Sequence, residues 1–329
     1  MGGVPSKQIV NKVAGAARAR TLRAGDRLWT LDGDRTVQTA VVEVAVSKAR
    51  EIVEVVTDGQ HTFTVAPDQL LRTHDGWIPA GESAGSVVTW TPPRKLCRER
   101  PAIRPGYDFG YWVGATCADG TVGKNYVSLV VNDEGFAAMY AESLTAATGL
   151  TARLEPVTRP SGFLQRDIQG FRVRVVSSYL ADALRQYVGG DAHHMRQGFP
   201  RVVLKDLSTF EGFLDGYVDG DGFRNRYWHA RTVVSANVPF LTELAAIIGA
   251  RFTPRTDRAS RLIITDRWQQ RRAFQAEEHP VHLVERQTAA VSEVRPHRAV
   301  GAKPFTLYTY RLAPHTDFLV HGHLVRASG

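Results

Sequence analysis

The sequence predicts a multidomain chain in which an all-β module is interrupted by an α/β insertion, its two halves rejoining in space. Three observations carry that prediction. Both flanks, residues 1–98 and 282–329, consist of short Val/Thr-rich runs punctuated by turn pairs such as Asp32-Gly33, Asp58-Gly59 and Asp75-Gly76. That is the signature of strands and hairpins. From Pro105 to about Ala276 the pattern changes, and strand-like runs alternate with apolar-periodic segments of helical length. Inside that insertion one short pattern occurs twice, about a hundred residues apart, so one unit is used twice. At 329 residues the chain is long enough for two cores, and 43% hydrophobic content without a long apolar run reads as soluble and globular.

Residues 1–12 lack the hydrophobic stretch of a signal peptide, so a cytoplasmic, nucleoid-associated protein that meets no membrane is expected. The β-like N-terminal flank ends in a basic, proline-containing exit, Thr91-Pro92-Pro93-Arg94-Lys95 and then residues 98–104. The insertion opens with the first copy of the repeated helix at 112–120. A strand-like run (125–131) and a helical segment (136–148) reaching Gly149 follow. Residues 159–170 and 188–200 contain Gly and Pro and are expected to be loops. The second copy at 214–222 leads to a strand-like run (232–235) and a helical segment (238–249), after which the β pattern resumes at 282. The only cysteines, Cys97 and Cys117, make neither a zinc spacing nor a disulfide framework, which fits a reducing compartment; Cys117 is expected to be buried packing.

Trp112-Val113-Gly114-Ala115-Thr116-Cys117-Ala118-Asp119-Gly120 returns as Leu214-Asp215-Gly216-Tyr217-Val218-Asp219-Gly220-Asp221-Gly222. Each copy is an apolar helix with two small residues four apart: Gly114 and Ala118, then Gly216 and Gly220. Glycine in a helix costs about 1 kcal/mol relative to alanine. The return is close approach, because small residues at i and i+4 share a face and let two helices touch backbone to backbone. Packing the copies together brings Asp119 and Asp221 side by side at helix C-termini, where the helix dipole adds to their repulsion. A hard divalent cation with oxygen ligands removes that repulsion and suits phosphoryl chemistry. Asp215 and Asp219 are expected to pair with arginines or cap neighbours.

Net charge is +8, from 34 Arg and 7 Lys against 33 acidic residues, which favours a polyanionic partner. Codon usage in a GC-rich genome accounts equally well for the Arg/Lys ratio, so placement matters more. Arg251, Arg255, Arg258, Arg261, Arg267, Arg271 and Arg272 are met in their stretch only by Asp257 and Asp266, and Arg224, Arg226 and Arg231 follow the second Asp-Gly.

The duplicated motif and the order of elements after it resemble the LAGLIDADG homing endonucleases. That resemblance implies an α/β domain of two pseudo-twofold αββαββα repeats, about 105–200 and 201–280 within a domain of 105–280. It implies strands forming a saddle in the DNA major groove, with Arg224, Arg226, Arg231, Arg255, Arg258 and Arg261 as candidate contacts to phosphate or guanine. Asp119 and Asp221 would hold Mg²⁺ (or Mn²⁺) between the scissile phosphates. Inteins of this family often carry a lysine three residues before a proline upstream of the second motif; that position here is Gln197, before Pro200. Arg196 and Lys124 are the nearby cations, and Arg196 cannot be deprotonated. His193 and His194 lie in the same stretch.

The flanks resemble the two halves of an intein-like Hint splicing domain, residues 24–33, 63–71 and 76–81 on one side and 307–310 and 315–328 on the other. Its chemistry is missing at three stations. Ser6 is the hydroxyl nearest the start, and residues 4–7 lack the family's opening pattern. The Thr and His of the second motif read Ala66 and Gln69, and glutamine exchanges no proton near neutral pH. The penultimate His and terminal Asn read Arg326 and Ala327, and alanine has no amide to cyclise. Ser328 and His315 match other positions but cannot replace the Asn.

The leading expectation is therefore a monomeric, metal-dependent, site-specific double-strand DNA endonuclease that cuts a long asymmetric site and no longer splices. The alternatives are a catalytically weak or inactive DNA-binding protein of the same fold, a functional intein, which the ending argues against, and an α/β protein whose repeats simply pack.

Overall fold

The computed structural model describes residues 2–58, 61–92, 100–161, 165–188, 197–225, 229–255, 258–301 and 303–327. The chain divides into two compact units, one of Met1–Arg98 with Val284–Gly329 and one of Glu99–Leu283.

The first unit is antiparallel β throughout its main sheet, and strands from the two flanks interleave across it. Gln287–Arg298 pairs with Val87–Trp90 and with Glu51–Thr57, and Phe305–Ala313 pairs with the long strand Arg35–Ala49. His323–Arg326 pairs with Asp317–Val320, Leu70–Arg72 and Val87–Trp90. Alternation in the sequence selects the buried face: Val53, Val55, Phe63 and Val65 join Val10, Leu28, Val88, Val291, Phe318 and Val325 in one core. Neither flank could bury these side chains alone.

The second unit holds five helices among the described residues: α1 (Tyr107–Asp119), α2 (Glu134–Thr148), α3 (Ser178–Tyr187), α4 (Leu207–Asp221) and α5 (Val238–Ile247). Side-chain caps fix several starts. Asp133 accepts from the Phe136 amide at 2.7 Å, Asp206 from the Thr209 amide at 2.8 Å, and Asn237 from the Phe240 amide at 3.3 Å. Gly149 closes α2 in the left-handed conformation, φ 72°. After α1 comes a four-stranded antiparallel sheet in the order Gly120–Val122, Tyr126–Val131, Arg166–Val176, Arg153–Ser161. After α4 comes a three-stranded one, Gly222–Asn225, Ala230–Ser235, Ser260–Thr265.

Two expectations are corrected. Residues 159–170 are not simply a loop, since Arg153–Ser161 and Arg166–Val176 form a long antiparallel pair. Pro160, within the segment expected to be a loop, and Pro156 lie on the edge strand, where a missing N–H breaks no inner ladder. The second repeat also falls short of αββαββα. Among the described residues it runs α4, two strands, α5, one strand and a short 3-10 turn at Trp268–Arg271. The segment after α5 contains Pro254, which cannot donate to a ladder. Among the described residues no helix is long and apolar enough to cross a membrane.

Candidate functional site

Helices α1 and α4 pack backbone to backbone through glycine. A Cβ added to Gly114 would lie 2.2 Å from the Phe213 carbonyl oxygen, and one on Gly216 would lie 2.2 Å from that of Tyr111. Real side chains do not tolerate such distances, so hydrogen is the only substituent that fits. Ala118 faces Gly220 at the end of the seam. One turn earlier, Gly110 and Gly212 meet the carbonyls of Thr209 and Tyr107 in the same way. The nine-residue motif alone does not include those two; extending the i, i+4 spacing one step back finds them.

The seam delivers two carboxylates to one place. Asp119 is the last residue of α1 and Asp221 the last of α4. A Cβ on Gly220 would stand 3.2 Å from Asp119 Oδ2, which puts that carboxylate against the final turn of α4. Burial, and then the charge of Asp119, push the Asp221 carboxyl up to about 7. Asp119 is exposed and Asp221 half-buried, so the pair opens to solvent on one side.

Gln197 lies beside this pair. It is buried, its Nε2 donates to the Cys117 carbonyl at 2.6 Å, and Asn237 Nδ2 donates to the Gln197 backbone carbonyl at 2.9 Å. The amide thus satisfies an acceptor in the last turn of α1, while its Oε1 has no hydrogen-bond partner among the described residues. Cys117 is buried, as expected of a packing residue. Lys124 is exposed in the hairpin turn beyond Gly120–Val122, at the far end of that strand from Asp119, and its carbonyl accepts from Arg185. Arg196, Arg226, His193 and His194 lie outside the described residues, as do Cys97, Asp257 and Ser328.

Two arginines expected to face a nucleic acid are turned the other way. Arg224 and Arg231 share their sheet face with Val233, Leu262 and Ile264, all fully buried, so they point toward the helices. There Arg231 Nη1 meets Asp215 Oδ1 at 2.8 Å, and Arg224 Nη2 meets Asp215 Oδ1 at 2.9 Å and Asp219 Oδ1 at 3.4 Å. The same carboxylates accept from α1: Tyr107 Oη donates to Asp215 and Tyr111 Oη to Asp219, each at 2.8 Å. Burial and then these carboxylates hold both phenols well above their usual range. Asp215 and Asp219 are therefore structural anchors of a one-sided polar seam. The physical reason is strand parity: one residue's shift in register exchanges the two faces.

The outward faces carry different residues. In the second sheet Phe223, Thr232 and Ile263 form one cross-strand row and Val234 and Arg261 the next. Arg255 joins them around a concave volume of ≈490 Å³. Arg258 is exposed nearby. In the first sheet the outward rows are Thr121, Ser128, Arg174, Arg153 and Val130, Arg172, Glu155. By register Val130–Arg172 is the counterpart of Val234–Arg261, because Leu129 and Val233 both pair with the glycine that follows a motif aspartate. Arg153, Arg172 and Arg174 were not singled out in the sequence. The period-2 run Arg172-Val173-Arg174 was the available signal.

In the first unit the second-motif positions of the intein-like resemblance, Ala66 and Gln69, lie against Gly3 and Arg326. Gln69 is buried between them: the Gly3 amide donates to its Oε1 at 2.8 Å, and its Nε2 donates to the Arg326 carbonyl at 2.6 Å. The Ala66 amide donates to the Gly3 carbonyl at 2.9 Å, and the Ala327 amide to Thr316 at 2.7 Å. Arg326 stacks its guanidinium over Trp77 at 4.2 Å and meets Asp317 at 3.5 Å. Among the described residues these positions carry an amide (Gln69), two alanines (Ala66 and Ala327) and a paired guanidinium (Arg326).

No protein-family model matches the chain. The DNA-directed RNA polymerase subunit Rpo1C of Methanocaldococcus jannaschii is 30% identical over 151 residues, a match spanning 46% of this chain but only 16% of that protein. Among solved structures the chain is similar to a DnaB intein from Synechocystis, with 12% identity, 28% of this chain, 70% of that one and a TM-score of 0.27. It is also similar to a bacterial intein-like domain from Clostridium thermocellum, with 17% identity, 29% of this chain, 69% of that one and a TM-score of 0.25.

Proposed function

We propose that the protein is a site-specific, metal-dependent double-strand DNA endonuclease whose intein-like β unit no longer splices. One observation carries the reading: two carboxylates are brought together at the ends of two helices packed through glycine. Burial there raises Asp221, an arrangement that costs stability unless a cation occupies it. The donors fit such a cation, being hard oxygens with a shared excess of negative charge. Among the described residues no third acidic, His or Cys side chain completes a cage. Mg²⁺ commonly binds through one or two carboxylates and takes its remaining ligands from water and phosphate. When bound, Mg²⁺ (or Mn²⁺) would neutralise phosphate charge and acidify a water. The chain's own residues do the rest. The glycine seam fixes the separation of Asp119 and Asp221, Gln197 holds the last turn of α1, and Arg172 and Arg261 offer guanidinium groups to phosphates on either half of a duplex.

A second reading, sequence-specific binding without cleavage, is favoured by one feature. Where the resemblance implies a lysine, Gln197 is committed to a backbone carbonyl and can transfer no proton. A randomised duplex library incubated with Mg²⁺ or with Ca²⁺ separates the two. Double-strand breaks that need Mg²⁺ and vanish in Asp119→Asn and Asp221→Asn support the nuclease; retention of duplexes with no break under any metal supports the binder.

A further inference from the structure

Three strands of the first sheet match the three strands of the second by register, yet their outward faces differ in chemistry at one row. Register makes the comparison direct. Thr121, Ser128 and Arg174 in the first sheet occupy the places of Phe223, Thr232 and Ile263 in the second. The first row is polar and cationic. Arg174 makes no ion pair among the described residues, and its guanidinium lies over the Tyr126 ring at 4.1 Å, which holds the fork outward. Its neighbours Arg153 and Arg172 both meet Glu155, at 2.9 and 3.5 Å, so Arg174 is the cation in this group left with its charge uncompensated. The second row carries two large apolar side chains on either side of Thr232: Phe223 is 50% and Ile263 53% exposed, held in water on the two outer strands where Thr or Lys would cost nothing. They border the ≈490 Å³ hollow whose rim carries Arg255 and Arg261. An apolar floor with a cationic rim complements a surface that presents methyl groups between phosphates.

Resting on the DNA-binding reading above, we infer that the two halves of the target are read by different chemistry: the second sheet reads thymine methyl groups through Phe223 and Ile263, and the first reads guanine through Arg174. In the major groove thymine alone presents a methyl group, while guanine alone presents the O6 and N7 acceptor pair that a guanidinium fork fits. A flat backbone-tracking surface would need neither two exposed hydrophobes nor an oriented fork. Asn225, two residues beyond Phe223 on the same outward face, stands at the edge of the same hollow, so an A·T-rich half-site is expected beneath the second sheet.

The test uses the full chain and the duplex it selects from a randomised library in Ca²⁺. Deoxyuridine replaces each thymine in turn, removing one methyl, and 7-deazaguanine replaces each guanine, removing N7. Uridine-sensitive positions should fall in one half of the site, each weakening binding about fourfold per buried methyl, and deazaguanine-sensitive positions in the other. In Phe223→Ala and Ile263→Ala the uridine penalty should disappear while the deazaguanine penalty persists; in Arg174→Ala the reverse should hold. All three side chains are exposed, so truncation leaves the core intact. Uridine penalties that are absent, spread evenly over both halves or unchanged in the Phe223 and Ile263 variants overturn the inference while leaving DNA binding standing. A chain that retains no duplex at all overturns the reading beneath it.

Discussion

At the scale of single residues, Asp221 ties function to stability. Its folded carboxyl titrates near 7, well above the usual carboxylate range, because burial and then Asp119 disfavour the charged form. A raised carboxyl binds its proton more tightly in the folded than in the unfolded chain. Stability is therefore fullest below the unfolded value of about 4 and is lost as pH rises toward 7. Thermal melts in metal-free buffer should show the midpoint falling between about pH 4 and pH 7 and levelling by pH 8. Asp221→Asn should flatten that fall and melt higher than the parent at pH 8, and Mg²⁺ should raise the parent's midpoint at pH 8 but not the variant's. A parent midpoint that stays level across this range would mean that the two carboxylates do not share a site. Gln69 makes the opposite kind of contribution. It satisfies the Gly3 amide and the Arg326 carbonyl at once, so Gln69→Ala leaves two polar groups unmatched in a buried place. The expected cost is about 1–3 kcal/mol in denaturant unfolding, with no change in any DNA-directed activity.

At the scale of elements, the α1–α4 seam tolerates no side chain. Gly114→Val or Gly216→Val must push the helices apart, at about 3 kcal/mol or more, and should abolish metal-dependent midpoint shifts by separating Asp119 from Asp221. Asp215→Asn tests the polar side of the same seam. It removes the charge facing Arg231, whose side chain is only 14% exposed, and breaking a pair so buried costs about 3 kcal/mol. Calorimetry would show either loss directly; an unchanged Asp215→Asn midpoint would mean that the pair is not anchoring the seam. These elements also mark how far sequence reading reaches. The seam was legible because small residues recur at helical spacing and end in Asp-Gly twice. The division of the β unit was legible because each flank alternates without closing a core. The facing of Arg224 and Arg231 was not, since it depends on Gly222 pairing with Val233 rather than with a neighbour, a one-residue choice that no local pattern fixes. The end of the strand Arg153–Ser161 was hidden by Pro160, which an edge position accommodates.

At the scale of the molecule, the net charge of +8 separates into arginines that hold the fold and arginines that face outward, and salt distinguishes them. Each cation that neutralises a DNA phosphate steepens the dependence of log affinity on log salt by about 0.9. Arg172 and Arg261 occupy register-equivalent outward positions, one in each sheet. If the insertion grips a duplex symmetrically through its backbone, Arg172→Ala and Arg261→Ala should each lower the slope by about 0.9, and the double variant by about twice that. Arg231→Ala should leave the slope unchanged while lowering the melting midpoint, because its side chain is only 14% exposed and faces Asp215 on the inner side of the sheet. Titrations at four or five salt concentrations with a selected duplex would decide it. Equal slopes in all three variants would place the phosphate contacts elsewhere, and a slope change for Arg231→Ala alone would reverse the assignment of faces. The pseudo-symmetry is what makes the experiment discriminating: two residues far apart in sequence must behave alike, and two neighbours on adjacent strand positions, Arg231 and Thr232, must not share a role.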